Sequence, residues 1–259
     1  MGKNKLKKFA EMQGFPCVFQ YPFGRLAAEG FPMRGRWGAD YFGNDNPIVL
    51  ELGCGKGEYT VGLARRFPDR NFIGIDIKGA RIYTGAREAT ESAMTNVAFL
   101  RTDIELIERF FAPGEVAEIW ITFPDPQMKK VRKRLTGSAF LNRYRRVCPP
   151  GARVNLKTDS PFLYAFTGRL VSANGLTPAG DCPDLYGPSG DALPPYLREI
   201  QTFYEHQWLG RGKSIKYLSF LLPEADKAIA DPDEDDIERD GYRSFPRGVA
   251  QGMHPAEED

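Results

Sequence analysis

Residues 48–77 read IVLELGCGKGEYTVGLARRFPDRNFIGIDI: a strand-like run, a glycine-rich loop, a helix-like stretch and a second strand-like run. The alternation of apolar strand-like and helix-like segments continues to residue 222. Strands that alternate with helices are typical of a mostly parallel sheet with helices on both faces. The sequence therefore predicts an α/β fold with a doubly wound, mostly parallel sheet.

The glycine-rich loop between these two strands is the first chemical signal. Glu51, Gly53, Gly55 and Gly57 give the pattern E-x-G-x-G-x-G, and the second strand ends at Asp76, 19 residues after the last glycine. Glycines let the backbone turn sharply and let a ligand approach without an obstructing Cβ. An acid at the second strand end can accept hydrogen bonds from ribose hydroxyls. The loop alone could be a tight turn, but loop and acid together predict a cofactor site.

Two classes of cofactor compete for this loop. A dinucleotide site requires G-x-G-x-x-G, so that a pyrophosphate can sit on the helix N-terminus. The last glycine position is Glu58 here, and its carboxylate would repel a pyrophosphate. Glu51, which precedes the loop, suits a cofactor with an ammonium group and a cationic sulfur. The pattern therefore favours S-adenosylmethionine over a nicotinamide cofactor.

Three later strand-like segments also end at or just before an acid, namely Asp103, Asp125 and Asp159. The carboxyl ends of the strands meet at one edge of a doubly wound sheet. We therefore expect these acids to line one rim together with Glu51 and Asp76. For Asp103 and Asp159, capping of the following helix is an equally good explanation.

A dense basic run follows Asp125, in the segment 121–134 that reads ITFPDPQMKKVRKR. No acid occurs between Asp125 and Asp159. A phosphate backbone is the natural partner of such a cluster, and a solvated loop and helix face is the alternative. We expect the basic residues to hold a nucleic acid while Asp125 faces a base edge and the methyl group of the cofactor. The ten basic residues of this interval are Lys129, Lys130, Arg132, Lys133, Arg134, Arg143, Arg145, Arg146, Arg153 and Lys157.

The composition argues against several other classes of protein. The four cysteines form no C-x-x-C pair and there are two histidines, so neither a metal site nor a disulfide framework is predicted. No apolar run reaches the roughly 18 residues that a membrane span needs. The basic N-terminus lacks the apolar core of a secretory signal. The sequence predicts a cytoplasmic protein with no metal and no membrane partner.

Charge divides the chain unevenly. Residues 224–259 hold 12 acidic and four basic residues, which leaves a net charge of +9 on residues 1–223. A basic body suggests a polyanionic partner, and the acidic tail either masks that surface or aids solubility. We expect an N-terminal extension over 1–46, a central domain over 47–223 and a disordered acidic tail over 224–259.

Four segments carry a family resemblance. They read LELGCGKGEYTVGLARRFPDRNFIGIDIKGARI from residue 50, TFPDPQMKKVRKR from 122, NLKTDSPFLYAF from 155 and QTFYEHQWLGRGKSIKYLSF from 201. In this order they resemble the bacterial tRNA (guanine-N7)-methyltransferase family, over about residues 48–222. The F-P-D-P segment with its basic run and the late T-x-x-E are specific to that family, whereas many methyltransferases share the glycine loop.

The resemblance implies a Rossmann-like, seven-stranded class I methyltransferase domain over residues 47–223. It also implies methyl transfer from S-adenosylmethionine to N7 of guanine in tRNA, at position 46 of the variable loop. For the assembly we expect a monomer or a homodimer. Glu51, Asp76, Asp103 and Asp125 match the family's cofactor-contacting acids. The positions that match its substrate contacts are Lys129, Asp159, Thr202, Phe203, Tyr204 and Glu205.

The implied chemistry suits the residues. Guanine N7 has a lone pair and no proton, so attack on a methyl group needs positioning more than proton removal. The product guanine is cationic, and Asp125 or Asp159 is predicted to stabilise the developing charge. Two features depart from the family pattern, because Gln127 replaces a frequent Trp and KKVRKR replaces a His-rich run. A methyltransferase of another RNA and a non-catalytic RNA-binding module are the alternatives.

Overall fold

An eight-stranded sheet forms the centre of the described part of the chain. The structure is a computed structural model that describes residues 8, 10–224 and 226–244. Neighbouring strands follow the order β1-β4-β3-β2-β5-β6-β8-β7. The strands are β1 (Val18–Gln20), β2 (Ile48–Leu52), β3 (Asn71–Ile75), β4 (Val97–Arg101), β5 (Val116–Thr122), β6 (Arg153–Thr158), β7 (Thr177–Cys182) and β8 (Lys216–Leu221).

The sheet is parallel except at one edge. β1 to β6 pair in parallel, whereas β8 runs antiparallel to both β6 and β7. The strand order reverses between β2 and β5, and this is where open α/β sheets form their ligand crevice. The prediction of an α/β, doubly wound, mostly parallel sheet is confirmed.

The sheet has one strand more than the seven predicted. β1 comes from the expected N-terminal extension and pairs with β4, where Val18 lies beside Phe99. Its three residues are all half-buried. A strand this short shows no alternation of apolar and polar residues, so periodicity could not reveal it.

Helices cover both faces of the sheet. The helix after the glycine loop begins with Glu58 and ends with Arg65 and Arg66, charges that suit the two ends of the helix dipole. The helices used below are α1 (Phe23–Glu29), α2 (Glu58–Arg66), α3 (Gly79–Glu91), α4 (Ile107–Phe110), α5 (Ser138–Tyr144), α6 (Pro161–Ala173), α7 (Tyr196–Glu199) and α8 (Phe203–Leu209).

Part of the expected N-terminal extension packs into the core. Trp37 is fully buried, stacks on Phe111 and donates its indole N–H to the carbonyl of Phe110 at 3.0 Å. The Glu115 carboxylate accepts hydrogen bonds from the amides of Gly35 and Trp37. Residues before 47 are thus tied to the sheet rather than held apart from it.

The acidic tail differs from the expected disorder over its described part. We define the tail strap as residues 226–242. Ile229 and Ile237 of the strap are buried in the main hydrophobic core, and Asp231 accepts hydrogen bonds from the amide and hydroxyl of Ser138. Acidic residues of the strap thus form hydrogen bonds with the rest of the protein, and its few apolar residues are buried in the core. Residues 245–259 of the predicted disordered tail lie outside the described residues.

No helix within the described ranges is both long and apolar enough to cross a membrane.

Candidate active site

The glycine loop turns at the carboxyl end of β2. Gly53, Gly55 and Gly57 have φ angles of 73°, 56° and 75°, in the left-handed region that favours glycine. At Gly57 a Cβ would also lie 2.5 Å from a ring carbon of Phe99. Both the backbone conformation and the lack of space beside Phe99 therefore require glycine at position 57.

Asp76, which directly follows β3, forms hydrogen bonds with the backbone of the glycine loop and of the segment after β3. Its Oδ2 accepts a hydrogen bond from the amide of Gly55 at 3.0 Å, and its Oδ1 accepts one from the amide of Lys78 at 2.7 Å. The side chain is buried. Asp76, which we predicted to accept hydrogen bonds from a ribose, thus also orders the glycine loop.

A cleft of about 390 Å³ opens at this edge of the sheet. Its volume lies within the range of small-molecule sites. Ile77, which is 58% exposed, lines it next to the loop and the carboxylates of Asp76 and Asp103. The remaining lining residues are Gly53, Thr102, Ile104, Glu105, Gln127, Lys130, Lys133, Leu135 and Phe140.

Asp103 has two roles in the structure. Its Oδ1 accepts a hydrogen bond from the amide of Glu105 at 2.9 Å, which caps the short 3₁₀ turn Ile104–Leu106. The capping interpretation of Asp103 is therefore confirmed. The same side chain lines the cleft, so capping and a contact with a ligand are compatible.

Glu51 is buried and satisfied from three sides. It accepts hydrogen bonds from the amide of Thr60 at 2.8 Å, from the Thr60 hydroxyl and from the Thr122 hydroxyl at 2.6 Å. These contacts tie the end of β2 to the start of α2 and to the end of β5. Burial raises the pKa of Glu51 to about 7, because water no longer solvates its charged form.

The loop that carries Asp125 is strained on both sides. Phe123 and Gln127 have φ angles of 48° and 50°, which are uncommon for residues other than glycine. Asp125 is exposed, and its Oδ1 accepts a hydrogen bond from the amide of Gln127 at 2.9 Å. Such strain costs roughly 1–3 kcal/mol per residue and persists only where the surroundings enforce it. It marks this loop as a candidate functional segment.

The T-x-x-E motif begins α8 beside the glycine loop. Thr202 and Glu205 form a capping box, in which each side chain accepts a hydrogen bond from the backbone amide of the other. The amide of Phe203 donates to the Glu58 carboxylate at 3.0 Å, and the Lys56 ammonium lies 3.6 Å from the Phe203 ring centroid. This places the exposed Phe203 against the loop.

Tyr204 and Glu205 lie in different environments. The half-buried Tyr204 ring packs edge-on against Phe203, with the Arg81 guanidinium 5.9 Å from its centroid. Glu205 is fully buried and pairs with Lys157 at 2.7 Å. The predicted contact positions on α8 thus divide into partly exposed rings and a buried acid.

Asp159 directly follows β6 and is almost fully buried. Its Oδ2 accepts a hydrogen bond from the hydroxyl of Tyr242 at 2.8 Å. The capping interpretation of Asp159 is wrong, because Ser160 caps α6 by accepting a hydrogen bond from the amide of Leu163. Tyr242 was missed by the sequence analysis, since it lies in a stretch predicted to be disordered.

The loop after Asp125 and the end of β6 meet through Asp240. The amide of Asp240 donates to the sulfur of Met128 at 3.3 Å, and its carboxylate accepts from the hydroxyl of Ser160 at 2.5 Å. The segments that carry Asp125 and Asp159 are therefore joined by the tail strap.

Comparison with known proteins identifies the family. A protein of Porphyromonas gingivalis named tRNA (guanine-N(7)-)-methyltransferase is 60% identical over 238 residues, which cover 91% of this chain and 96% of that protein. A protein of the same name from Bacteroides thetaiotaomicron is 53% identical, over 98% of both chains. The chain belongs to the tRNA (guanine-N7)-methyltransferase family. Residues 45–179 also match a family model, Methyltransf_4, described as "Putative methyltransferase".

Solved structures agree with the methyltransferase fold. A structure titled "Structure of an antibiotic related Methyltransferase" has a TM-score of 0.54 at 15% identity and covers 80% of this chain and 96% of its own. A 30S ribosomal A1408 methyltransferase from an uncultured bacterium has a TM-score of 0.51 at 14% identity, over 78% of this chain and 94% of its own. At such low identity the likeness concerns the fold alone. The domain has the class I methyltransferase fold.

In this family member the basic interval is not one phosphate-binding cluster. Arg134 and Lys157 are fully buried and paired with Glu234 and Glu205, respectively. The carboxylate of Glu108 pairs with both Arg143 and Arg146, and Lys133 pairs with Glu105. Arg145 donates to the carbonyls of Glu224 and Lys227. The exposed cations closest in sequence to Asp125 are Lys129, Lys130 and Arg132.

Proposed function

We propose that this chain transfers a methyl group from S-adenosylmethionine to N7 of guanine at position 46 of tRNA. The observation that carries this proposal is the 53–60% identity to proteins named tRNA (guanine-N(7)-)-methyltransferase, over at least 91% of the chain. The proposed methyltransferase domain comprises residues 47–223, to which β1 adds an edge strand and the tail strap adds buried core residues. A tRNA-modifying role favours the cytoplasm.

The cleft beside the glycine loop suits S-adenosylmethionine. This cofactor supplies a methyl group on a cationic sulfur. Asp76 would accept hydrogen bonds from ribose hydroxyls while keeping its bond to the amide of Gly55. The exposed Ile77 offers an apolar surface for the adenine ring, and Asp103 adds a second acid to the cleft. The open backbone of Gly53 leaves room for the ligand, since the nearest atom to an added Cβ is 4.0 Å away.

Glu51 is buried beside the glycine loop and would position that loop. Its three hydrogen bonds set the glycine loop relative to α2 and β5, so we assign it to positioning the loop. Burial raises its pKa to about 7, and the cationic groups of a bound cofactor would favour its charged form. The resemblance made it a contact residue, and its burial supports an electrostatic role at close range.

Asp125 would receive the guanine. Guanine N7 needs no base, so holding the ring in line with the methyl group is the main task. The Asp125 carboxylate already uses one oxygen for the amide of Gln127. The second oxygen is available for the guanine N1–H and amino group, and its charge would stabilise the cationic product. Asp125 is therefore our candidate catalytic residue.

Phosphates of the tRNA would lie along the exposed cations after this loop. Lys129, Lys130 and Arg132 are exposed and follow Asp125 within a few residues. Lys130 also lines the cleft. Phosphate contacts of this kind position a nucleic acid without reading its sequence. Phe203 and Tyr204, which are partly exposed beside the glycine loop, are our candidates for contact with the base.

The direct experiment is methyl transfer from labelled S-adenosylmethionine to unmodified tRNA transcripts, followed by nucleoside analysis. We expect 7-methylguanosine, and a transcript with position 46 changed from guanine serves as the control. Asp125→Asn should lower kcat while tRNA binding is retained. If the wild-type protein binds tRNA but transfers no methyl group to it, the proposed function fails, and a non-catalytic RNA-binding module or a methyltransferase of another RNA takes its place. Unchanged turnover of Asp125→Asn would remove the catalytic role of this acid.

A further inference from the structure

Arg134 joins the Asp125 loop to the tail strap. Its Nε donates to the carbonyl of Pro126 at 3.1 Å, and one terminal nitrogen donates to the carbonyl of Gln127 at 3.3 Å. The other terminal nitrogen donates to the Glu234 carboxylate at 2.5 Å. One guanidinium therefore holds both residues that follow Asp125.

The surroundings of Arg134 make Glu234 important. The Arg134 side chain is fully buried, and its guanidinium lies 4.0 Å from the ring centroid of Phe166 and 4.9 Å from that of Phe162. A buried guanidinium needs a paired charge, because water cannot solvate it there. Glu234 supplies that charge from a position 100 residues further along the chain.

The two accepting carbonyls lie within the strained loop. Gln127, whose carbonyl oxygen accepts a hydrogen bond from Arg134, has the φ of 50°, and its amide donates to Asp125. A residue in this region stays there only if several contacts enforce the conformation. The hydrogen bonds from Arg134 are such contacts, and they act directly beside the Asp125 carboxylate.

The far end of the strap reaches the second acid. Tyr242 donates its hydroxyl to the Asp159 carboxylate, and its ring packs edge-on against Trp208 with the Lys213 ammonium 4.5 Å from its centroid. Asp240, two residues earlier, bonds to the Ser160 hydroxyl and to the amide of Phe162. The strap thus contacts both segments that bear the candidate substrate-binding acids.

We propose that the tail strap is a positioning element of the active site: Glu234, acting through Arg134, holds the Asp125 loop, and Tyr242 holds the carboxylate of Asp159. The proposal rests on the proposed function for its kinetic consequences. Its geometric part concerns the loop itself and has a readout that needs no activity. Neither residue touches the reacting atoms, so both act through the acids that they orient.

The first test uses Glu234→Ala with Asp236→Ala as the matched control. Asp236 lies on the same strap and pairs with Arg169, but its side chain is 74% exposed and that ion pair holds neither acid-bearing loop. We expect kcat to fall at least tenfold in Glu234→Ala with little change in the KM for S-adenosylmethionine, and to stay unchanged in Asp236→Ala. Hydrogen exchange of the amides in 121–130 should accelerate only in Glu234→Ala.

A double variant separates positioning from stability. In Arg134→Met/Glu234→Met the buried pair is replaced by apolar side chains of similar size, which restores stability in many proteins. We expect a melting temperature near that of the wild type, but fast exchange in 121–130 and a kcat still at least tenfold lower. Recovery of kcat and of slow exchange together with stability would overturn the proposal, because the pair would then only support the fold.

Tyr242→Phe tests the other end of the strap. It keeps the ring against Trp208 and removes the hydrogen bond to Asp159, so kcat/KM for tRNA should fall about tenfold, as expected for a lost hydrogen bond to a charged group. An unchanged kcat/KM would overturn this part of the proposal. If the wild-type protein proves inactive on tRNA, the proposed function fails, whereas the exchange measurements still decide whether the strap holds the loop.

Discussion

The Lys157 ammonium lies 2.7 Å from the Glu205 carboxylate, and both side chains are fully buried. Lys157 also donates to the carbonyls of Leu197 and Ile200, and Glu205 accepts from the hydroxyl of Tyr186 at 2.8 Å. Burial lowers the pKa of Lys157, and the neighbouring Glu205 opposes that change. This pair joins the end of β6 to the start of α8.

Removing one member of this pair should destabilise the protein strongly. Glu205→Ala leaves a buried ammonium without its partner, and we expect a loss of about 3–5 kcal/mol in the free energy of unfolding. Urea denaturation at pH 7 measures it. The variant Lys157→Met/Glu205→Met should recover most of the loss, and a double variant as unstable as the single one would contradict this account.

Glu51 should make stability depend on pH. Its folded pKa of about 7 lies above the ordinary value of 4.5, so the folded state binds more protons than the unfolded state between these pH values. Stability contributed by protonated Glu51 is therefore present below pH 4.5 and is lost as pH rises through about 7, by roughly 3 kcal/mol at 1.36 kcal/mol per pKa unit.

The Glu51 contribution can be isolated with Glu51→Gln, which carries no charge at any of these pH values. The free energy of unfolding, measured by urea at pH 5, 6, 7 and 8, should fall more steeply with pH in the wild type than in the variant. Parallel pH profiles would show that Glu51 does not titrate in this window.

The glycine loop gives a third prediction. Gly57→Ala would bring a Cβ to 2.5 Å from Phe99 at a φ of 75°, whereas Gly43→Ala has a similar φ of 66° and no atom within 4 Å. The control thus carries the backbone strain alone, which costs roughly 1–2 kcal/mol. We expect Gly57→Ala to lose clearly more stability and to weaken S-adenosylmethionine binding in calorimetry. Equal losses would mean that the Phe99 ring moves aside.

Binding of tRNA should depend on salt through the exposed part of the basic run. Each phosphate contact contributes roughly 0.7–0.9 to the slope of log K against log salt concentration. Lys129→Ala/Lys130→Ala should make that slope less steep by the contribution of about two phosphate contacts. Arg25→Ala removes an exposed cation that pairs with Glu29 on α1, and it should leave the slope unchanged. A slope unaffected by the lysine variant would place the phosphates elsewhere.

The sequence revealed the sheet and the glycine loop because their signals are local. Three apolar residues, 48–50, followed by E-x-G-x-G-x-G fix β2 and its turn. The register of β2 beside β3 places Asp76 next to Gly55. The acid at the end of β4 was also found, with its capping role left open. These features depend on neighbours within about 20 residues.

The burial of the cations could not be read from the sequence. Arg134 lies in the basic run KKVRKR and its partner Glu234 lies in an acidic run, so each residue looks like a member of a solvated stretch. Lys157 likewise pairs with an acid 48 residues away. The resemblance matched Thr202 and Glu205 to substrate contacts, whereas the two side chains form the capping box of α8 and Glu205 pairs with Lys157. Such pairings are set by the tertiary fold.

The position of the tail strap has a consequence for the order of events during synthesis. The last strand, β8, ends at Leu221, and chains fold from the N-terminal end as the ribosome extends them. Glu234 and Tyr242 are translated after every strand of the sheet. The nascent polypeptide can therefore acquire its architecture first, and the loop that bears Asp125 receives its last hydrogen-bonding partners only afterwards.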